Sequence, residues 1–148
     1  MKKKFNEILF VISAIIFNIA VSGVYIAAKI DAAKIDSSVL LKIFGGIVVL
    51  LIIPFTITLV GYIKMKAKKK IIISHIFILF YLFLELMLDY VLKIPFREIL
   101  AIHIPYIIVF YAAAFSMIGV SRTISRKMGW LVIATFLILI GCLIYYLI

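Results

Sequence analysis

The chain has a single cysteine, Cys142, among its 148 residues, and it has only six acidic side chains. One cysteine excludes an intramolecular disulfide and any metal site built from several cysteines. The sequence also lacks the HExxH pattern of zinc proteases, the GxSxG turn of serine hydrolases and a Gly-rich phosphate loop. Composition and charge therefore carry most of the information about this protein.

Apolar residues make up 68% of the chain, against about 45–50% in soluble domains, and the mean hydropathy is +1.35. Crossing a bilayer takes about twenty apolar residues in a helix, and five segments are long enough. The predicted spans are 8–28, 43–63, 71–92, 99–120 and 130–148. We therefore expect an all-α integral membrane protein, a single transmembrane domain over 1–148 whose five helices form a compact bundle. The first apolar run is longer than a signal-peptide core, which favours a retained helix.

Basic residues concentrate on one side of this five-span arrangement, which holds eleven of the sixteen lysines and arginines. These are Lys2, Lys3, Lys4, Lys64, Lys66, Lys68, Lys69, Lys70, Arg122, Arg126 and Lys127. Among the acids only Glu7 falls there. Cytoplasmic loops are rich in Lys and Arg, so the pattern predicts a cytoplasmic N-terminus, an outside C-terminus and a multi-pass protein of the cell (plasma) membrane. The same rule explains the net charge of +10, and nucleic-acid binding is not expected.

Two features shape the predicted helices. Pro54 lies near the middle of the second span and should kink it, because proline removes a backbone hydrogen bond. The short segment Lys93–Glu98, which contains Pro95, should join the third and fourth helices as antiparallel neighbours. Trp130, Tyr145 and Tyr146 fit aromatic belts at the membrane interfaces.

Glu85 and Asp89 lie one helical turn apart in the third span, which is otherwise almost entirely apolar. A charge near the centre of a membrane helix is unfavourable by roughly 2.5–3.5 kcal/mol. Counting from the middle of the 93–98 turn puts His103 level with Asp89, and Tyr106 level with Glu85. The sequence therefore predicts an acidic pocket in the outer half of the bundle, with no metal or other cofactor. Its predicted binding residues are Glu85, Asp89, His103, Tyr106, Asn18, Ser22 and Tyr25.

Several functions are compatible with such a pocket. Two carboxylates in a low dielectric favour binding or translocation of a proton, a cation or a cationic solute. An accessory or assembly subunit of a larger membrane complex is the main alternative, because the chain has almost no loops. Partners would then be the lipid bilayer, a homo-oligomer or another membrane subunit. A purely structural reading pairs Asp89 with Lys93 or Arg97 and bonds a neutral Glu85 to Asn18 or Tyr106.

An enzyme is the less favoured class. Glu85, Asp89 and His103 could bind a divalent metal or act on a lipid headgroup, but only one histidine falls in the pocket. Recognition of a membrane lipid or an exported peptide is a further alternative, and it uses the same pocket.

Overall fold

Helices account for almost all of the chain that the structure, a computed structural model, describes, which is residues 2–32, 38–93 and 99–148. The α-helices are α1 Lys2–Ala32, α2 Ser38–Leu50, α3 Ile52–Lys64, α4 Lys69–Glu85, α5 Leu100–Ile124 and α6 Arg126–Leu147. A π-helical turn, Leu86–Val91, follows α4 directly. No strand occurs within these ranges, so the predicted all-α class is confirmed there.

Five helical segments are long and apolar enough to cross a membrane, as the sequence predicts. They are Lys3–Ile30, Val39–Lys64, Lys69–Val91, Leu100–Ile124 and Arg126–Leu147. Each helical segment extends beyond its predicted span at one end or both, because charged residues end the apolar run but do not end the helix. Between α5 and α6 the helix breaks only at Ser125, whose side chain accepts a hydrogen bond from Met128 N at 3.1 Å and so caps α6.

The second span is interrupted at Leu51, where α2 ends and α3 begins. Leu51 N bonds both Ile47 O and Val48 O at 3.2 Å, a tightened turn that often accompanies a kink. Pro54 follows three residues later and has no N–H to offer the carbonyl of Leu50. The break thus lies where the sequence predicts the kink.

Helix α1 is the centre of the bundle. Half of its most apolar window is buried, against 17–33% in the other four spans. Phe10, Ala14 and Phe17 lie on its inner face with no exposed surface. Ile12 and Ile19 lie on its outer face, each about half exposed. Large apolar side chains cover the outer surface of the other helices as well, which is the surface a bilayer requires.

The Lys-rich segments meet at one end of the bundle. Lys3 of α1, Lys66 between α3 and α4, and Thr123 near the end of α5 line one cavity there. We call this the Lys-rich end, and the end that carries Asp89 the acidic end. Helices α4 and α5 run antiparallel, because Glu85 contacts Tyr106 and Tyr81 contacts Phe110. Residues 94–98 of the predicted 93–98 turn lie outside the described residues.

Candidate ligand-binding site

Glu85 is the centre of a buried polar triad that joins α4 to α5. Its side chain is only 7% exposed. The Tyr81 hydroxyl donates to Glu85 Oε2 at 3.3 Å, and the Tyr106 hydroxyl donates to the same oxygen in a short hydrogen bond. The two hydroxyl oxygens lie 2.9 Å apart. An ionised carboxylate can accept both hydroxyls at once, so the triad can hold Glu85 as an anion without water.

The helix changes its winding immediately after Glu85. Residues Leu86–Val91 form a π-helix, and Leu92 N bonds Met87 O, five residues earlier, at 2.8 Å. Such π-turns are rare and are frequent at functional sites. The wider turn changes the direction in which Asp89 projects relative to Glu85. No glycine or proline marks this segment, which is why sequence periodicity did not predict it.

A first cavity of about 330 Å³ lies beside the triad. Glu85 and His103 are the titratable side chains in its lining besides tyrosines, and no lysine, arginine or aspartate is among the described residues that line it. The aromatic members of its wall are Tyr25, Tyr81, Tyr106, Phe110, Tyr111 and Tyr146. The cavity therefore combines one buried carboxyl group with several aromatic rings.

A second cavity, of about 690 Å³, reaches Glu85 from the side of Asp89. The charged residues of its lining are Glu85, Asp89, Lys42 and Lys93. Acids and lysines therefore balance one another in this space. Tyr25, Val24 and Tyr146 line both cavities together with Glu85. The ring centroids of Tyr25 and Tyr146 lie 5.8 Å apart, and both rings belong to the shared wall of the two cavities.

The structure brings five of the seven predicted binding residues to these cavities. Tyr25, Glu85, His103 and Tyr106 line the first, and Tyr25, Glu85 and Asp89 line the second. The predicted pairing of Glu85 with Tyr106 is present as a hydrogen bond. The sequence predicts that His103 and Asp89 line one pocket, but His103 lines the first cavity and Asp89 lines the second.

Asn18 and Ser22 do not line either cavity. The Asn18 amide donates to Thr135 Oγ1 at 2.9 Å and to Val132 O at 3.3 Å, which ties α1 to α6. The Ser22 hydroxyl donates to Asn18 O at 2.7 Å within α1. Phe17, the neighbour of Asn18, contacts Tyr81 one turn from Glu85, but the rotation of α1 turns the Asn18 side chain toward α6. The sequence allows Asn18 as one possible hydrogen-bond partner of a neutral Glu85, but the Asn18 amide bonds Thr135 and Val132 instead.

Sequence reasoning missed two contributors to the acidic-end site. Tyr146 lines both cavities and is 38% exposed, although its position suggested an interfacial belt. Lys42 lines the second cavity, although in the sequence it only precedes the predicted span 43–63. Both lie near helix ends, where a sequence alone does not distinguish a membrane anchor from a cavity wall.

A second buried polar cluster lies toward the Lys-rich end. His75 has no exposed surface; its Nε2 lies 3.1 Å from Thr58 Oγ1, and its Nδ1 lies 2.9 Å from Ile71 O. The Asn6 amide donates to Thr58 O at 3.0 Å. Since a carbonyl only accepts, Nδ1 carries a proton. Nε2 shares a hydrogen bond with the Thr58 hydroxyl, which also donates to Phe55 O at 2.9 Å. The sequence analysis did not predict this cluster, since Asn6 precedes the predicted span.

Within the described ranges, no group of three His, Cys, Asp or Glu side chains is placed to hold a metal ion. Asp31, Asp36, Arg97 and Glu98 have side chains outside the described part of the chain, so the predicted alternative pairing of Asp89 with Arg97 lies outside it too.

Comparison with known proteins finds no matching family model, no matching curated protein and no matching solved structure. Function must therefore be argued from the site itself.

Proposed function

We propose that this protein binds an organic cation in the first cavity, with Glu85 as the counter-charge and the surrounding aromatic rings as the wall. The observation that supports this most is the position of Glu85: it is buried, oriented by two tyrosine hydroxyls, and reaches a cavity with no lysine or arginine among its described lining. Aromatic rings attract a cation placed over their faces, by about 0.5–2 kcal/mol each according to solvation. A carboxylate and several rings together favour an ammonium group that carries apolar substituents.

The size of the cavity fits a small ligand. Ligand pockets have volumes of about 300–1,000 Å³, and the first cavity, at about 330 Å³, lies at the low end of that range. The second cavity, with its balanced acids and lysines, would serve as the entrance to Glu85. Translocation would follow if the break at Leu51 lets α2 move against α1, because α2 contributes Val48 to the first cavity and Lys42 to the second.

For orientation, we propose that the Lys-rich end faces the cytoplasm and that the cavities open toward the outside of the plasma membrane, as the positive-inside rule predicts. Single cysteines at Met65 and Val39, in a chain whose Cys142 is replaced by serine, test this. An impermeant thiol reagent should label Val39→Cys from outside and Met65→Cys only after the membrane is opened. The reverse pattern would contradict the orientation and place Glu85 on the cytoplasmic side.

The binding proposal is tested with benzyltrimethylammonium and its uncharged isostere neopentylbenzene. Calorimetric titration of the purified protein in a neutral detergent should detect the cation and not the isostere. Glu85→Gln keeps an oxygen that accepts from both tyrosines and removes the charge, so the affinity should fall at least tenfold, which corresponds to about 1.4 kcal/mol. Asp89→Asn, in the balanced cavity, is the matched control and should change the affinity less than threefold, about 0.7 kcal/mol.

Two results would contradict cation binding. One is equal affinity for the two probes, which would indicate an apolar cavity that ignores charge. The other is unchanged affinity in Glu85→Gln, which would leave the triad as a structural link between α4 and α5.

An accessory subunit of a larger membrane complex is the second candidate, and one observation favours it. At Gly46, Gly119 and Gly141 no heavy atom of the described residues, apart from the adjoining helix backbone, lies within 4 Å of the place where a Cβ would stand. Small residues at open positions allow close approach of helices from another chain in a membrane. Replacing Gly119 by leucine should then abolish co-purification of the partner or a second copy, whereas a transporter acting alone would keep its binding of benzyltrimethylammonium.

A further inference from the structure

The cavity at the Lys-rich end is distinct from the site around Glu85. Its volume is about 520 Å³, and it lies between α1, the segment joining α3 to α4, and the end of α5. Lys3, Lys66, Lys68 and Lys70 line it, with Glu7 as the acid among its described lining residues. Lys3 and Glu7 are one turn apart on α1, where opposite charges offset each other. Three lysines therefore remain to attract an anion.

The tyrosine at the base of this cavity has an unsatisfied hydroxyl. Tyr62 lines the cavity and is only 5% exposed. Within the part of the chain that the structure describes, its hydroxyl is buried and has no hydrogen-bond partner. Leaving a buried hydroxyl without a partner costs about 1–3 kcal/mol, so this hydroxyl favours a ligand that accepts a hydrogen bond from it.

The backbone adds a second set of donors. Helix α4 begins at Lys69, and its N-cap residue, Lys68, makes no side-chain capping bond. Lys68, Lys70 and Ile71 of this first turn line the cavity. The first N–H groups of a helix and its dipole favour an anion, most of all a phosphate. The lysines, the Tyr62 hydroxyl and the helix terminus thus meet in one place, and each is a donor.

Lys66, one of the lysines that line this cavity, has a strained backbone conformation. Its φ is 54°. Lys66 N donates to Ile63 O, and Ala67 N donates to Tyr62 O, which closes a turn of six residues from Tyr62 to Ala67. This is a Schellman helix end, in which the left-handed position is usually glycine. A lysine there costs about 1 kcal/mol relative to glycine, and in return it places a cation at the cavity.

The remaining lining is apolar and decides between a free anion and a lipid. Met65, Ile71 and Ile124 line the cavity beside the lysines, and the exposed side chains of Phe5 and Ile63 lie close in sequence to its lining residues. Apolar walls do not stabilise a free phosphate. A phospholipid carries acyl chains next to its phosphate, and these chains can contact such walls. We infer that this cavity binds the phosphate headgroup of an anionic phospholipid, with Lys66, Lys68, Lys70 and the Tyr62 hydroxyl as its donors.

Native mass spectrometry of the whole protein in a neutral detergent tests this inference. Short-chain phosphatidylglycerol, short-chain phosphatidylcholine and inorganic phosphate are titrated in parallel. Phosphatidylglycerol should bind at least tenfold more tightly than phosphatidylcholine, and millimolar inorganic phosphate should not displace it. This readout does not depend on Glu85 or on cation binding, so the two proposals can fail separately.

Three variants locate the site. Lys66→Gly removes a charge and at the same time relieves backbone strain, so a loss of binding cannot come from unfolding; we expect about a fivefold loss, since a lysine near an anionic lipid contributes about 1 kcal/mol. Tyr62→Phe keeps the ring and should weaken binding about tenfold through the lost hydroxyl. Lys69→Ala is the control, because Lys69 lies between two lining lysines and does not line the cavity.

The inference is overturned by any of three results. Equal affinity for phosphatidylcholine would remove the role of net charge. Displacement by inorganic phosphate at millimolar concentration would make the ligand a free anion. A loss in Lys69→Ala as large as that in Lys66→Gly would indicate a diffuse charge effect and no site.

Discussion

The two buried polar clusters of this bundle differ in what surrounds them. At the Lys-rich end, His75 is completely enclosed, with ring contacts to Phe10 and Tyr62 and hydrogen bonds on both nitrogens. At the acidic end, Glu85 is equally well hydrogen-bonded but lines two cavities. Both clusters satisfy buried polar groups, as membrane helices require. Of the two clusters, only the one at the acidic end leaves space beside a carboxyl group, and the proposed binding role depends on this difference.

The largest expected effect is at the enclosed cluster. His75→Ala should lower the free energy of unfolding by about 3–4 kcal/mol, because it leaves a cavity and removes the buried hydrogen bonds to Thr58 and to Ile71 O. Thermal unfolding in detergent measures this as a fall in Tm. Ile73→Ala, at a half-exposed position of the same helix, is the control and should cost less than about 1 kcal/mol. Equal effects of the two variants would contradict a stabilising role for the enclosed His75 cluster.

Glu85→Leu should have a smaller effect, about 2 kcal/mol, because Tyr81 and Tyr106 can still bond each other when the carboxylate is gone. Glu85→Gln retains the acceptor and should cost less than about 1 kcal/mol. The same unfolding measurement compares the two. If the leucine variant were as stable as the glutamine variant, the triad would not stabilise the packing of α4 on α5.

Gly61 tests how closely α1 approaches α3. A Cβ at Gly61 would collide with the Asn6 amide, which would have to leave its bond to Thr58 O. Gly61→Ala should therefore cost about 1–2 kcal/mol, and Gly141→Ala, in open space, should gain up to about 1 kcal/mol from helix propensity. Destabilisation by both substitutions to the same extent would show that the contact with Asn6 is unimportant.

The smallest expected effect is a gain. Lys66→Gly should raise the free energy of unfolding by about 1 kcal/mol, because glycine adopts a positive φ without strain. Lys64→Gly, two residues earlier and inside α3, should instead lose about 0.5–1 kcal/mol. A Tm for Lys66→Gly at or below that of the unchanged chain would contradict the strain at this position.

Local sequence features predicted the helices and much of the acidic-end site. Hydropathy located five spans, Pro54 located the break near Leu51, and a depth count from the 93–98 segment matched Glu85 with Tyr106. These predictions work because helix rise and hydrophobic length are fixed quantities. The count could not predict that Asn18 would bond to α6, because depth along a helix says nothing about its rotation.

The proposed lipid site could not be predicted from the sequence, for a different reason. In the sequence, the lysines between residues 66 and 70 indicate topology and a general attraction to anionic lipid, and nothing distinguishes Tyr62 from the other aromatic residues. Their meaning depends on which hydroxyl is buried without a partner and which lysines share a cavity, and both follow from the packing of α1, α3, α4 and α5.

The sequence by itself determined that this chain forms five long apolar helices, and it placed two acids in the third of them and most lysines between the others. It did so because apolar length and charge position are properties of each segment alone. The tertiary structure decided that Glu85 meets Tyr81 and Tyr106 beside a cavity, that the helix widens at Asp89, and that Asn18 turns away. Helix rotation and side-chain packing are cooperative among neighbours, so no single segment specifies them.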